Sequence, residues 1–199
     1  MKNEPWPFEF DAPTRVPEIL EALVASRIVQ LKRYSHLSAN VPSKIPLVDN
    51  HDLFLDSTGP VVVELDNGAI VGAYSDDTET GSVVLRFERD TKGRRAPNYC
   101  ISSDPSYQPI DGCDPIYSNE EVCEIVGCTI LSVIVLKDKD NILRPEWPCE
   151  VAVRLLLDNS NELALCHGLP DSGSDDFTVR TKSRIPSGYF DMLTEILRL

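Results

Sequence analysis

The sequence predicts an α+β protein made of two tandem pseudo-symmetric units, each a helix followed by about four antiparallel strands, with a helix at the C-terminus. Three observations lead there. The pattern of one helical segment and then four strand-like segments occurs twice. Val61-Val62-Val63-Glu64-Leu65-Asp66-Asn67 is answered by Val153-Arg154-Leu155-Leu156-Leu157-Asp158-Asn159. Thr91-Lys92-Gly93-Arg94 is answered by Thr181-Lys182-Ser183-Arg184, each just ahead of a proline, Pro97 or Pro186. Two matches in the same order are the signature of a repeated supersecondary unit.

In the first unit, Val16, Ile19, Leu20, Leu23 and Val24 recur with the 3.6-residue period of an amphipathic helix. Residues 27–34 then read as a strand. Segments 60–65 and 69–74 flank Asp66-Asn67-Gly68, whose residues suit the tight turn of a hairpin. An acidic loop leads to a fourth strand over 82–88. Residues 95–117 hold Pro97, Pro105, Pro109, Gly112 and Pro115 without periodicity and read as a linker, dividing the chain into 1–104 and 105–199.

The second unit opens on Ser118-Asn119-Glu120-Glu121, which has the form of a capping box with Glu121 reaching back. Its helix is expected over 119–126 and stops at Gly127, which tolerates the left-handed conformation after a helix. Strands are expected over 128–136, 150–157, 162–167 and 176–181, because these runs are rich in β-branched and apolar residues between Asp/Asn/Gly/Ser clusters. Phe190, Leu193, Ile196 and Leu197 share one helical face, which predicts a terminal helix over 188–199.

Of the 199 residues, 42% are hydrophobic, as expected of a globular chain. The longest apolar run, 125–136, is interrupted by Gly127, Thr129 and Ser132 and is too short to span a membrane. The first residues lack the apolar core of an export signal. The expectation is therefore a cytoplasmic protein with all six cysteines (Cys100, Cys113, Cys123, Cys128, Cys149 and Cys166) reduced. Cys123 and Cys128 have a spacing found in zinc sites, but Cys149 and Cys166 do not make the second close pair that zinc requires.

Acidic residues outnumber basic ones by 32 to 19, for a net charge of −13. This argues against nucleic acid, which is bound through lysine and arginine. No Lys or Arg occurs over 45–85, 96–136 or 155–179, while basic residues gather at 86–95 and 180–184. Such segregation creates a directional field suited to a basic partner, although plain solubility is an alternative use of the acidity. Asp76, Asp77 and Glu79 in the first unit, and Asp171, Asp175 and Asp176 in the second, fall between the third and fourth strands. These six are the candidate partner-binding residues.

Catalytic readings are weaker. The histidines are His36, His51 and His167. Cys166 and His167 are adjacent on a predicted strand, so their side chains point to opposite faces and cannot form a nucleophile–base pair. Asp171-Ser172-Gly173-Ser174-Asp175-Asp176 faintly follows a calcium loop, but Gly173 empties one ligand position and Lys182 stands where a bidentate Glu belongs. Lys139 between Asp138 and Asp140 weakens a metal reading there too. No phosphate-binding glycine loop, GxSxG or HExxH motif occurs. No catalytic set, metal or cofactor is expected.

The string from Glu150 through Asp158-Asn159-Ser160-Asn161 and Cys166-His167 to Val179 resembles small bacterial immunity proteins of polymorphic-toxin and contact-dependent-inhibition systems. In these a hairpin around an Asp-Gly or Asp-Asn turn precedes an acidic loop. The helix, Gly127 and the Thr129-Ile130-Leu131-Ser132-Val133 strand are similar too, so the resemblance covers about 118–182 directly and the first half through the repeat. It implies a dedicated inhibitor that binds and blocks a cognate toxin domain. The alternatives are an adaptor protein that assembles, as a homodimer, through the same acidic loops, and a small-ligand binder or hydrolase with its site between the repeats.

Overall fold

The computed structural model describes residues 9–35, 50–76, 78–97, 100–138, 146–168 and 177–199. Helix α1 (Pro17–Leu23) starts on a proline, whose fixed φ suits the first helical position, and buries Ile19, Leu20, Ala22 and Leu23. Strand β1 (Ile28–Ser35), the short α2 (Leu53–Asp56), β2 (Val61–Leu65), β3 (Ile70–Asp76), β4 (Ser82–Arg89) and β5 (Gln108–Asp111) follow. Then come α3 (Glu120–Cys123), β6 (Ile130–Asp138), β7 (Ala152–Leu157), β8 (Glu162–His167), β9 (Phe177–Thr181) and β10 (Leu193–Arg198). The chain is thus mixed α+β, dominated by two five-stranded antiparallel sheets, ordered β4-β3-β2-β1-β5 and β10-β6-β7-β8-β9.

The strands form where alternation places valine and leucine on one face. Val61, Val63, Leu65, Val71, Ala73, Val83, Leu85 and Phe87 of the first sheet meet Val133, Val135, Val153, Leu155, Leu163, Leu165, Phe177 and Val179 of the second in one buried cluster. The sheets therefore pack face to face over a shared core, the arrangement that hides the apolar side of both.

At one corner the two sheets are tied by backbone. Arg27 bridges Thr129, Ala25 N–H donates to Ile130 O at 2.8 Å, and Gly127 N–H donates to Ile28 O at 2.7 Å. β1 and β6 then each carry a bulge, between Ile28 and Gln30 and between Ile130 and Ser132. A bulge increases the local bend, which lets each strand leave the shared corner for its own sheet. The residues passed over, Val29 and Leu131, are exposed. Away from this corner, Cys149 N–H donates to Thr80 O at 3.1 Å, and Arg33 Nη2 donates to Phe177 O at 2.9 Å, so the far ends of the sheets are joined as well.

Several expectations need correction. The C-terminal helix is absent: residues 193–198 form β10, paired antiparallel with β6. The segment read as linker contains β5, which pairs with β1 and carries the first sheet past residue 104. The capping box does not close. Asn119 is the N-cap, accepting from Val122 N–H at 3.0 Å, while Ser118 Oγ donates to Asp111 O. Glu121 turns away and accepts from Thr181 Oγ1 at 2.7 Å and from Ser183 N–H at 3.0 Å, tying α3 to the end of β9. The cysteines also differ: Cys113 and Cys123 are joined by a disulfide, with Cα atoms 4.5 Å apart, and Cys100, Cys128, Cys149 and Cys166 are free. The turn 112–117 doubles the chain back against α3, a proximity that sequence spacing alone does not disclose. Among the described residues no helix is long and apolar enough to cross a membrane.

Candidate functional site

The connection between β3 and β4 is built around Asp76. Its Oδ1 accepts from Thr78 N–H (3.0 Å), Thr78 Oγ1 (2.8 Å) and Glu79 N–H (3.3 Å). Its Oδ2 accepts from Thr80 N–H (3.0 Å) and Thr80 Oγ1 (2.9 Å). Desolvation pushes this carboxyl up, but the hydrogen bonds from Thr78, Thr80 and Glu79 outweigh it and hold the group below its ordinary value. Asp76 is therefore the staple of its own turn rather than a solvated tip carboxylate. Glu79 is exposed beside it. Asp77, Asp171, Asp175 and Asp176 lie outside the described residues, as does His36. The flanking strands are described: β8 ends at His167 and β9 begins at Phe177, so the second acidic segment joins the same pair of strands in its sheet as the first does.

Next to the Asp76 turn, on the outer face of the first sheet, is a cleft of about 290 Å³ lined by Phe10, Pro60, Tyr74, Arg86, Ile101 and Tyr107. Arg86 is buried at its base, with Nε 2.9 Å and Nη2 2.5 Å from Glu88 Oε1. Its guanidinium carbon stands 4.2 Å from the centroid of the Phe10 ring, and Phe10 meets Tyr74 edge to face at 4.4 Å. A buried arginine is tolerable here because one carboxylate neutralises it and one ring face covers it. Gly72 makes the arrangement possible: a Cβ there would lie 2.8 Å from Ile101 Cδ1 and 3.3 Å from Glu88 Oε1. Burial, and then the charge of Asp76, raise the Tyr74 phenol above its usual pKa, with Glu79 adding to the effect. Burial and Asp104 raise Tyr107 in the same way. The cleft is thus aromatic within and edged by carboxylates. In the sequence the cleft leaves one trace, Gly72 inside β3, since a glycine within a strand marks a close approach.

Cys166 is fully buried, and desolvation pushes its thiol up to about 12, so it stays protonated and unreactive. His167 lies buried opposite Phe177 at the end of β8, and His51 sits in an exposed turn at Asn50–Asp52. Among the described residues no group of three or more His, Cys, Asp or Glu is placed to hold a metal ion. Arg33 is fully buried between the sheets, where Nη2 donates to the carbonyls of Ser57 and Phe177 and the guanidinium stands 5.0 Å from the Phe177 ring centroid. It acts as a tie between sheets.

Compared with models of protein families, with curated protein sequences and with solved structures, the chain matches none.

Proposed function

We propose that this chain is a non-catalytic binding protein that neutralises a basic protein partner by occlusion, in the manner of the immunity proteins it resembles. The observation that carries this reading is the Asp76 turn. Five hydrogen bonds to one carboxylate fix the loop before any partner arrives, and a pre-ordered loop loses less entropy on binding. The turn keeps its negative charge and leaves Glu79 exposed, on a chain of net charge −13. A field of that sign accelerates encounter with a basic surface.

We also infer that the two sheets descend from one duplicated unit. Ile28, Gln30 and Leu31 face Leu65, Glu64 and Val63, as Ile130, Ser132 and Val133 face Leu157, Leu156 and Leu155, with the bulge at the same point in each set. The turns agree as well: Asn67 Nδ2 donates to Ala22 O, and Asn159 Nδ2 donates to Glu124 O. On that reading the segments holding Asp76, Asp77 and Glu79 and Asp171, Asp175 and Asp176 are copies of one loop.

The test is capture of the partner from the native host, followed by association kinetics at low and high salt. Asp77→Asn with Glu79→Gln, or Asp175→Asn with Asp176→Asn, is expected to slow association several-fold, roughly the range of electrostatic steering, and to leave the melting temperature unchanged. Rates that ignore both pairs of substitutions and the salt would remove the acidic loops from the interface. A captured partner that is itself acidic would refute the neutralisation reading.

A further inference from the structure

The end strands of the two sheets are β4, β5, β9 and β10. A strand edge leaves backbone N–H and C=O groups able to pair with another chain, and proteins usually block it. Three of these four edges are blocked by the chain itself. β4 is bonded along its outer side by Asp11, which exchanges both backbone bonds with Leu85, and by Glu150, whose carbonyl accepts from Val83 N–H at 3.0 Å. β5 is short, and Pro109 has no N–H to offer. Helix α2 packs against β9, and Arg33 takes the Phe177 carbonyl. Among the described residues no strand pairs with β10 on the side away from β6. Leu199 exchanges both backbone bonds with Val133, so by alternation the N–H and C=O of Arg198 point to that open side.

This strand is also apolar and locally neutral. Met192, Ile196 and Leu199 are exposed on it or beside it, and Leu131 joins them next to Ser132, whose Oγ donates to Leu199 O at 2.8 Å. Residues 192–199 hold one acid, Glu195, and one base, Arg198, on a chain of net charge −13. These two face Leu136 and Ile134, two positions apart on β6, and so lie on one face of the sheet. Arg198 Nε and Nη2 donate to the Glu195 carboxylate at 2.8 and 2.6 Å.

We propose that β10 is a homodimer interface: the β10 of a second copy of this chain adds antiparallel to it about a twofold axis between Ile196 and Leu197. The inference is independent of the neutralisation reading. Charge selects both the occupant and the register. Pairing centred there sets Glu195 of each copy opposite Arg198 of the other, whereas pairing centred on Glu195 or on Arg198 opposes like charges. An acidic chain repels its own copies, so it meets one most easily where its charge cancels, as it does here. A basic partner finds no excess of carboxylates on this strand. The bulge between Glu195 and Leu197 falls at the axis in both copies, so the extra residue of one is matched by that of the other.

The test is sedimentation velocity on the full chain. One added strand buries less than a standard interface, so half-association is expected at about 0.1 mM. Raising salt screens the repulsion between two like-charged chains and is expected to strengthen the dimer, the opposite of its effect on a complex with a basic partner. Arg198→Glu, and separately Glu195→Arg, is expected to weaken self-association at least about tenfold, because two opposed pairs change sign. Glu195→Arg makes the chain less acidic, so a loss there cannot come from general repulsion. Mixing the two variants is expected to restore association, since each presents the charge that the other lacks. Both side chains are exposed, and neither substitution is expected to move the melting temperature appreciably. Ile196→Lys, a charge at the open edge, is expected to leave the chain monomeric. A chain still monomeric at about 1 mM, tenfold above the expected midpoint, would overturn the proposal. So would a dimer that salt weakens, one that survives Ile196→Lys, or one that the two charge variants neither weaken alone nor restore together.

Discussion

Single residues in this chain act mainly through turns, and two of them allow direct tests. Ala25 has φ 60° and Gly127 has φ 95°, and both stand just after a helix and just before a bulged strand. A Cβ in the left-handed region costs about 1 kcal/mol, which glycine avoids. Ala25→Gly is therefore expected to raise the urea midpoint and Gly127→Ala to lower it, each by about that energy; effects of the opposite sign would show that these positions are not left-handed in solution. Asp76 gives the second test. Its carboxyl sits below its ordinary value, so its stabilising effect is complete above about 3.8, the unperturbed value, and fades as the pH falls through the lowered one. Asp76→Asn should cost about 1 kcal/mol at pH 7, by the usual worth of such hydrogen bonds, and the gap from the parent chain should close in acid. A gap that persists at pH 2 would locate the effect elsewhere. The sequence located Asp76 at a hairpin end but not the direction of its side chain. Asp and Thr two to four residues apart suit a solvated tip and a self-bonded turn equally.

At the scale of elements, strands bounded by turn residues were legible and the segment after them was not. The strand expected over 162–167 is β8 to the residue, and those over 60–65 and 82–88 are β2 and β4 to within one. Valine and leucine alternating between Asp-Asn turns leave few other conformations. β10 has the sequence pattern of a helix for a physical reason. Its register slips between Glu195 and Leu197, so inward positions do not keep the period of two, and Phe190, Leu193, Ile196 and Leu197 imitate a helical stripe. The two readings predict different mutants. In β10, Leu197 packs against the main core while Ile196 is exposed. Leu197→Ala should cost about 2 kcal/mol, the low end for a buried leucine, and Ile196→Ala less than about 0.5 kcal/mol. Equal losses in denaturant titrations would restore the helix. β5 is not legible in the sequence because four residues with a proline, Pro109, look like linker, and a short edge strand containing proline is also how sheets limit unwanted pairing.

For the molecule as a whole, the decisive fact is that one core lies between the two sheets and is supplied by both. Each sheet alone would expose a full face of valine and leucine, a larger apolar patch than soluble monomers carry. The backbone bonds at the Arg27–Thr129 corner and the reach of Arg33 to Phe177 add ties that neither half keeps by itself. Duplication, as inferred, would thus have produced an intramolecular pair rather than two beads on a string, with contact between halves that a homodimer would otherwise provide. The expected outcome is a single cooperative thermal transition, with the calorimetric enthalpy equal to the van't Hoff enthalpy. Residues 1–117 expressed alone should show neither sharp amide dispersion nor a cooperative melt, and should gain both on mixing with residues 118–199. Two resolved transitions in the full chain, or a well-dispersed spectrum from residues 1–117, would mean that each sheet is stable without the other. In that case the far ends, where the Asp76 turn stands, would be held by their own strands alone, and the fixed geometry on which the proposed interface depends would lose its main support.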